Sequence, residues 1–477
     1  MKKLILAIAT ALLALCLQAK VKPNNLVSDH MVLQQGTSVR LWGTGPAGRN
    51  LTVKVSWGDA ITRTRIGSDG RWEVMVDTPA ASFDTQSIVF DDGDVVKVED
   101  VLIGEVWIAG GQSNMDMPVR GFDGCPTDDL LATILEARDE WAIRSYKMDT
   151  EAKSLVPEED SDRSWKVCSS ETVSSFGAVA YYYASMVSKV LGCPVGMIEA
   201  NKGGTRVESW LSKEAVAALG SEPMDYEAMK QKTNQEWLWP YVWGNAIFHP
   251  LVKYTVKGIL FYQGCSNVGD PGDQYSERMA LLAKDWRRQI GLGDIPFYYV
   301  QICPYAQGGG RNTDGIEVAL LQEQQFKALE KIPNSGLVCT NDCVYPYEKD
   351  QVHPAQKRKV GQRLASLALN KTYGMSWFPA DSPSYKSMEV RGNEIALRFD
   401  HMDWGMNRGM DIEGFEIADE SRVFHPAQVR RRGRDLLVSS PEVEKPVAVR
   451  YCFHNWQIGN LGNAKGLPLF PFRTDEW

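Results

Sequence analysis

The chain has 477 residues, with 52 Lys and Arg against 60 Asp and Glu and a formal net charge of −8. This acidic balance offers no basic surface for nucleic acid, and 44% hydrophobic residues at this length can fill the cores of more than one domain. Nine cysteines scattered along the chain exclude a small disulfide-stapled scaffold.

The chain opens with Met1, Lys2 and Lys3, then "LILAIATALLALCLQA", a basic segment followed by an apolar one ending on the small residue Ala19. This pattern predicts a signal peptide over residues 1–19 and a mature chain from Lys20, exported to the periplasm or secreted. The apolar run falls short of the ~20 residues that span a bilayer, so the mature chain is expected to be soluble. Leu15 before Cys16 is too bulky for lipoprotein processing.

Residues 20–100 carry short alternating runs, "SVRLWG", "NLTVKVSWG", "RWEVMVD" and "SIVFDDGDVVKVEDV", divided by turn residues. They predict an antiparallel β domain. Within it, Gly43 to Gly48 ("GTGPAG") fits the dinucleotide-binding pattern, but a β-rich run follows where that motif requires a helix. It reads as a hairpin loop, and no NAD site is expected.

Over residues 101–375 the pattern becomes alternating strand and helix. "VLIGEVWIA", "PVGMIEAN", "VKGILFYQG", "PFYYVQI" and "SGLVCTN" have strand length and composition. "FGAVAYYYASMVSKVLG", "QYSERMALLAKDWRRQIG", "EVALLQEQQFKALEKI" and "PAQKRKVGQRLASLALN" have helical spacing. The alternation predicts an α/β domain, a parallel sheet with helices on both faces. Residues 376–477 return to strand patterns and predict a C-terminal β domain. Cys339 and Cys343 lack the second pair that a structural zinc site requires, so no metal is expected.

Reactive groups in such a sheet gather beyond the carboxyl ends of the strands. Four segments end there with suitable chemistry: "GGQSNM" with Ser113, "ANKGGT" with Gly203 and Gly204, "YQGCSN" with Gln263, Gly264 and Asn267, and "DQVHP" with Asp350 and His353. A serine attacks only when a base takes its proton and donors hold the resulting oxyanion. Of the six histidines, only His353 follows the last α/β strand within the α/β region, and Asp350 three residues earlier can orient it. The backbone N–H groups of Ser113 and Gly204, with the side-chain amide of Gln263 or Asn267, are candidate oxyanion donors. Arg206 would lie near them and suits a substrate carboxylate.

The order Ser, Gly, Gln or Asn, then Asp-x-x-His resembles the SGNH hydrolase superfamily, and "VLIGEVWIAGGQSNM", "PVGMIEANKGGTRVESW", "VHPAQKRKVGQRLA" and "GLPLFPFRTDEW" are similar to its sialate O-acetylesterase family. The resemblance runs from about residue 29 to 477. It implies a flavodoxin-like catalytic domain with accessory β domains, cleaving O-acetyl esters of sialic acid without a cofactor. It also implies Ser113 as nucleophile, His353 as base, and Gly204 and the Gln263 to Asn267 segment as oxyanion donors. Cys265 stands where that family carries a Glu. Asp342 is the alternative to Asp350, and a Ser113–His353 dyad needs neither. Other acetylated glycans such as acetylxylan are the alternative substrates, and a catalytically silent carbohydrate-binding protein is the alternative class.

Overall fold

The computed structural model describes residues 20–270, 274–307, 314–402 and 410–477; the leader expected at 1–19 lies outside them. Strands Ser38–Thr44, Asn50–Val55, Ile61–Arg65, Arg71–Asp77 and Ser82–Asp91 make up most of the N-terminal part, paired antiparallel. In Arg71–Asp77 the burial alternates residue by residue, as a sheet with one wet face requires. The Gly43–Gly48 segment joins two of these strands with no helix after it.

Strand β1, Val95–Gly111, carries the chain from this part into the next. Its first half pairs antiparallel with Ser82–Asp91, and its second half pairs in parallel with two later strands. The boundary expected at residue 100 therefore lies inside one continuous strand. Beyond it come helix α1 (Ser113–Asp116), β2 (Ile143–Lys147), α2 (Ala178–Leu191), β3 (Val195–Asn201), β4 (Gly258–Tyr262), α3 (Tyr275–Ile290), β5 (Phe297–Val300), α4 (Glu317–Lys327), β6 (Ser335–Val338) and α5 (Lys357–Lys371).

The sheet order is β2-β3-β1-β4-β5-β6 with every neighbouring pair parallel, and Trp165–Val167 adds an antiparallel edge outside β2. β3 and β4 flank β1 on opposite sides, so the order of connection reverses at the carboxyl end of β1. This leaves a crevice there. Two apolar clusters cover the faces. One joins α2 and α5 through Tyr183, Val187, Leu364 and Ala368, and the other joins α3 and α4 through Met279, Trp286, Val318 and Leu321. The second cluster also contains Leu41, Leu51, Trp72 and Phe90, so the N-terminal strands and the α/β part share one core. Gly192 ends α2 in the left-handed conformation that a helix C-cap glycine adopts.

Two four-stranded sheets follow. One contains Ser384–Arg391, Glu394–Asp400, Asp435–Ser439 and Gln428–Arg432, and the other His425–Pro426, Phe415–Ala418, Ala448–Tyr451 and Phe472–Arg473. Ile395, Leu397, Ile417, Leu436 and Val449 form their separate core. Arg473 joins them to α4 through Glu323 at 3.1 Å. The eight cysteines of the described chain are free thiols. Among the described residues no helix is long and apolar enough to cross a membrane.

Candidate active site

Gly111 ends β1 with φ at +141°, and a Cβ there would lie 2.2 Å from the Tyr262 carbonyl oxygen of β4. Only glycine permits so close an approach of two strands in that conformation. The chain turns at once into α1, and Ser113, its first residue, stands half-buried at the switch point of the sheet. His353 comes from the loop between β6 and α5, and its Nε2 lies 2.7 Å from Ser113 Oγ. With the ring proton on Nδ1, the Ser113 hydroxyl donates to Nε2. Two residues 240 apart in sequence thus meet in hydrogen-bond contact.

Asp350 does not complete a triad in this arrangement. It is exposed, and among the described residues no carboxylate bonds to His353. Three residues of spacing place Asp350 on the same loop, but the loop turns it toward solvent. Asp342, the alternative, is held by Arg363 at 2.6 Å and Lys359 at 2.7 Å, which keep its carboxyl low, at about 2, against the effect of burial. His353 is fixed otherwise: its backbone N–H donates to Gln351 Oε1 at 3.2 Å, and the Phe122 ring packs edge-on against it with centroids 5.3 Å apart.

Two residues absent from the sequence reading tie this loop to α1. Asn114 donates from Nδ2 to the Val352 carbonyl at 2.9 Å, and its Oδ1 accepts from Lys357 Nζ at 2.6 Å. Lys357 is fully buried, near the Tyr262 ring. Burial pushes its ammonium down to about 8. Burial, then the Lys357 charge, pushes His353 down to about 4, so the imidazole is neutral and able to accept a proton at pH 7. Cys265 Sγ sits 3.8 Å from Asn114 Nδ2, and burial raises its thiol to about 12, leaving a neutral group at this edge of the site.

The oxyanion donors divide. Among the described residues the backbone N–H groups of Ser113, Gly203 and Gly204 have no protein acceptor, and a Cβ on Gly203 would lie 3.5 Å from Ser113 Cβ. The glycine turn therefore borders Ser113. The side-chain amides of Gln263 and Asn267 do not offer donors as expected. Gln263 Nε2 is engaged by the Thr205 carbonyl (3.0 Å) and Asn267 Oδ1 (2.8 Å), while Asn267 Nδ2 is engaged by Glu208 (3.1 Å) and Asp270 (2.9 Å). Both N–H groups of each amide are spent inside the protein.

Arg206 is likewise engaged. Its guanidinium lies 2.5 Å from Asp270, 3.4 Å from Glu208 and 3.8 Å from Glu222, and Arg278 shares Glu208. A fork held by three carboxylates and 14% exposed is a brace for the Gly204 and Asn267 loops, since freeing it would break partly buried ion pairs. Among the described residues no group of three or more His, Cys, Asp or Glu side chains is placed to hold a metal ion.

Comparisons with known proteins first define a class, the carbohydrate esterases. The sequence profile of one family, "Carbohydrate esterase, sialic acid-specific acetylesterase", matches residues 103–370, more than half the chain, and the protein belongs to that family. The chain is similar to human sialate O-acetylesterase, 25% identical over 94% of this chain and 91% of the relative, and to the mouse enzyme, 26% identical over 94% and 93%. In structure it is similar to a carbohydrate acetylesterase from Xanthomonas citri, with a TM-score of 0.84 and 30% identity over 96% of this chain and all of that one.

Proposed function

We propose that the protein removes O-acetyl groups from sialic acids by an acetyl-enzyme mechanism on an SGNH-type, flavodoxin-like domain flanked by β domains, working outside the cytoplasm. The observation that carries this reading is the 2.7 Å contact between Ser113 Oγ and His353 Nε2 at the strand-order switch. His353 takes the hydroxyl proton as Oγ attacks the acetyl carbon. The tetrahedral oxyanion is held by backbone N–H groups of Ser113 and the Gly203–Gly204 turn. His353 then returns the proton to the departing sugar oxygen. Water, deprotonated by the same imidazole, attacks the acetyl-serine, and the acyl–Oγ bond breaks as His353 returns that proton to Ser113 Oγ, releasing acetate. The pair acts as a dyad, its loop tied to α1 by the Asn114 bond to the Val352 carbonyl and its imidazole packed against Phe122.

Ser113→Ala is expected to lower acetate release from O-acetylated sialic acid and p-nitrophenyl acetate hydrolysis by at least about a thousandfold, and to abolish labelling by a fluorophosphonate. Retained turnover with normal folding would remove Ser113 from the mechanism. Faster acetate release from acetylated xylan than from acetylated sialic acid would keep the chemistry and reassign the glycan.

A further inference from the structure

A sugar ester must be gripped by more than its acetyl group, and the expected arginine is occupied. Trp237 stands at the place where such a grip is needed. A Cβ on Gly204 would lie 2.6, 3.0 and 3.1 Å from Cδ1, Nε1 and Cγ of the Trp237 ring, so the pyrrole edge of the indole rests directly on the glycine turn that borders Ser113. Gly204 has φ at +79° and no space for a side chain, so only a glycine at this position lets the ring come so close.

Three tryptophans occur within seven residues here, and they differ. Trp239 and Trp243 are 5% and 3% exposed, and their indole N–H groups donate to the Thr233 and Glu236 carbonyls. Trp237 is 41% exposed, and its N–H has no protein acceptor among the described residues. Its backbone is nevertheless fixed. The Trp237 carbonyl accepts from Ser209 Oγ at 3.2 Å, the neighbouring carbonyls of Gln235 and Glu236 accept from Leu238 and Trp239, and Glu236 is paired with Lys153. A half-exposed indole with a free donor, on a fixed backbone and packed on the glycine turn next to Ser113, matches what binds a sugar: an apolar face for C–H groups and a polar tip for a hydroxyl or amide.

We propose that Trp237 is a substrate-binding residue that packs against the pyranose ring of the acetylated sugar and sets the preference for glycan esters over simple acetates. This rests on the esterase reading of Ser113, and the test separates the two. Kinetics of Trp237→Ala and Trp237→Phe are measured on O-acetylated sialic acid and on p-nitrophenyl acetate, beside wild type and Ser113→Ala. Trp237→Ala is expected to raise KM for the sugar ester about tenfold with kcat within about twofold, to leave p-nitrophenyl acetate hydrolysis within about twofold, and Trp237→Phe to recover most of the loss. An unchanged KM for the sugar ester, or a parallel loss on both substrates, overturns the role of Trp237. Activity persisting in Ser113→Ala overturns the catalytic reading instead.

Discussion

His353 is useful as a base only while neutral, and burial and one neighbour decide its range. Burial and the Lys357 charge hold it at about 4 where an ordinary histidine titrates at 6.5. The rate constant kcat/KM is therefore expected to stay level as pH falls past 6.5 and to decline only through about 4, since protonation removes the acceptor for the Ser113 hydroxyl. Lys357→Met removes the cation, so the acidic limb of the profile should move upward toward 6.5, and the loss of its bond to Asn114 should lower kcat. An unmoved limb in that variant would leave burial as the whole cause. Asp350 invites the opposite expectation: exposed and unbonded to His353, it should tolerate Asp350→Asn with activity within about threefold of wild type. A loss of a hundredfold would mean that the loop moves to bring this carboxylate in.

At the scale of elements, the sharp junction between β1 and α1 is what presents Ser113 at the end of the sheet. Gly111→Ala places a methyl group 2.2 Å from the Tyr262 carbonyl, in a backbone conformation that alanine rarely adopts. The strands must part, at an expected cost of about 3 kcal/mol or more, read as a lowered denaturation midpoint together with lost activity. The strands and helices of this region were legible because each satisfies one period over a sufficient length. Helix α5 shows more: Lys357, Val360, Gly361 and Leu364 fall on one buried stripe. A lysine in the apolar register of a helix is therefore a signal that the sequence contains. Other features were illegible for physical reasons. The segment from Lys202 to Lys257 runs through two seven-residue helices, Lys213–Leu219 and Tyr226–Lys232, and short 3-10 and π turns, none with a long period, which concealed Trp237 among its buried neighbours. The spacing of Asp350 to His353 gives proximity along the chain but not direction. The amides of Gln263 and Asn267 look like free donors until the carboxylates that consume them are placed beside them.

For the whole molecule, the decisive feature is that one apolar core joins N-terminal strands to α3 and α4. A chain beginning at residue 101 would uncover Tyr254 and Trp165, which pack on Trp42 or donate to the Val32 and Leu26 carbonyls, and leave the Val101–Gly104 part of β1 without its N-terminal partners. It is expected to be insoluble or unable to give a cooperative thermal transition, whereas residues 20–375 should unfold in a single step. A soluble, cooperatively folding fragment from residue 101 would refute the shared core. The C-terminal sheets have their own core and are joined to α4 by fewer polar links. Strand β1 carries this unity into design. A recombination junction is normally cut in a loop, where two parents can exchange modules without mutual adjustment. Here the cut between the N-terminal part and the nucleophile would sever a 17-residue strand. Glycan preference in this architecture is accordingly a matter for point substitution around the crevice, while chimaeras that exchange the N-terminal part would inherit mismatched registers in the strand that ends two residues before Ser113.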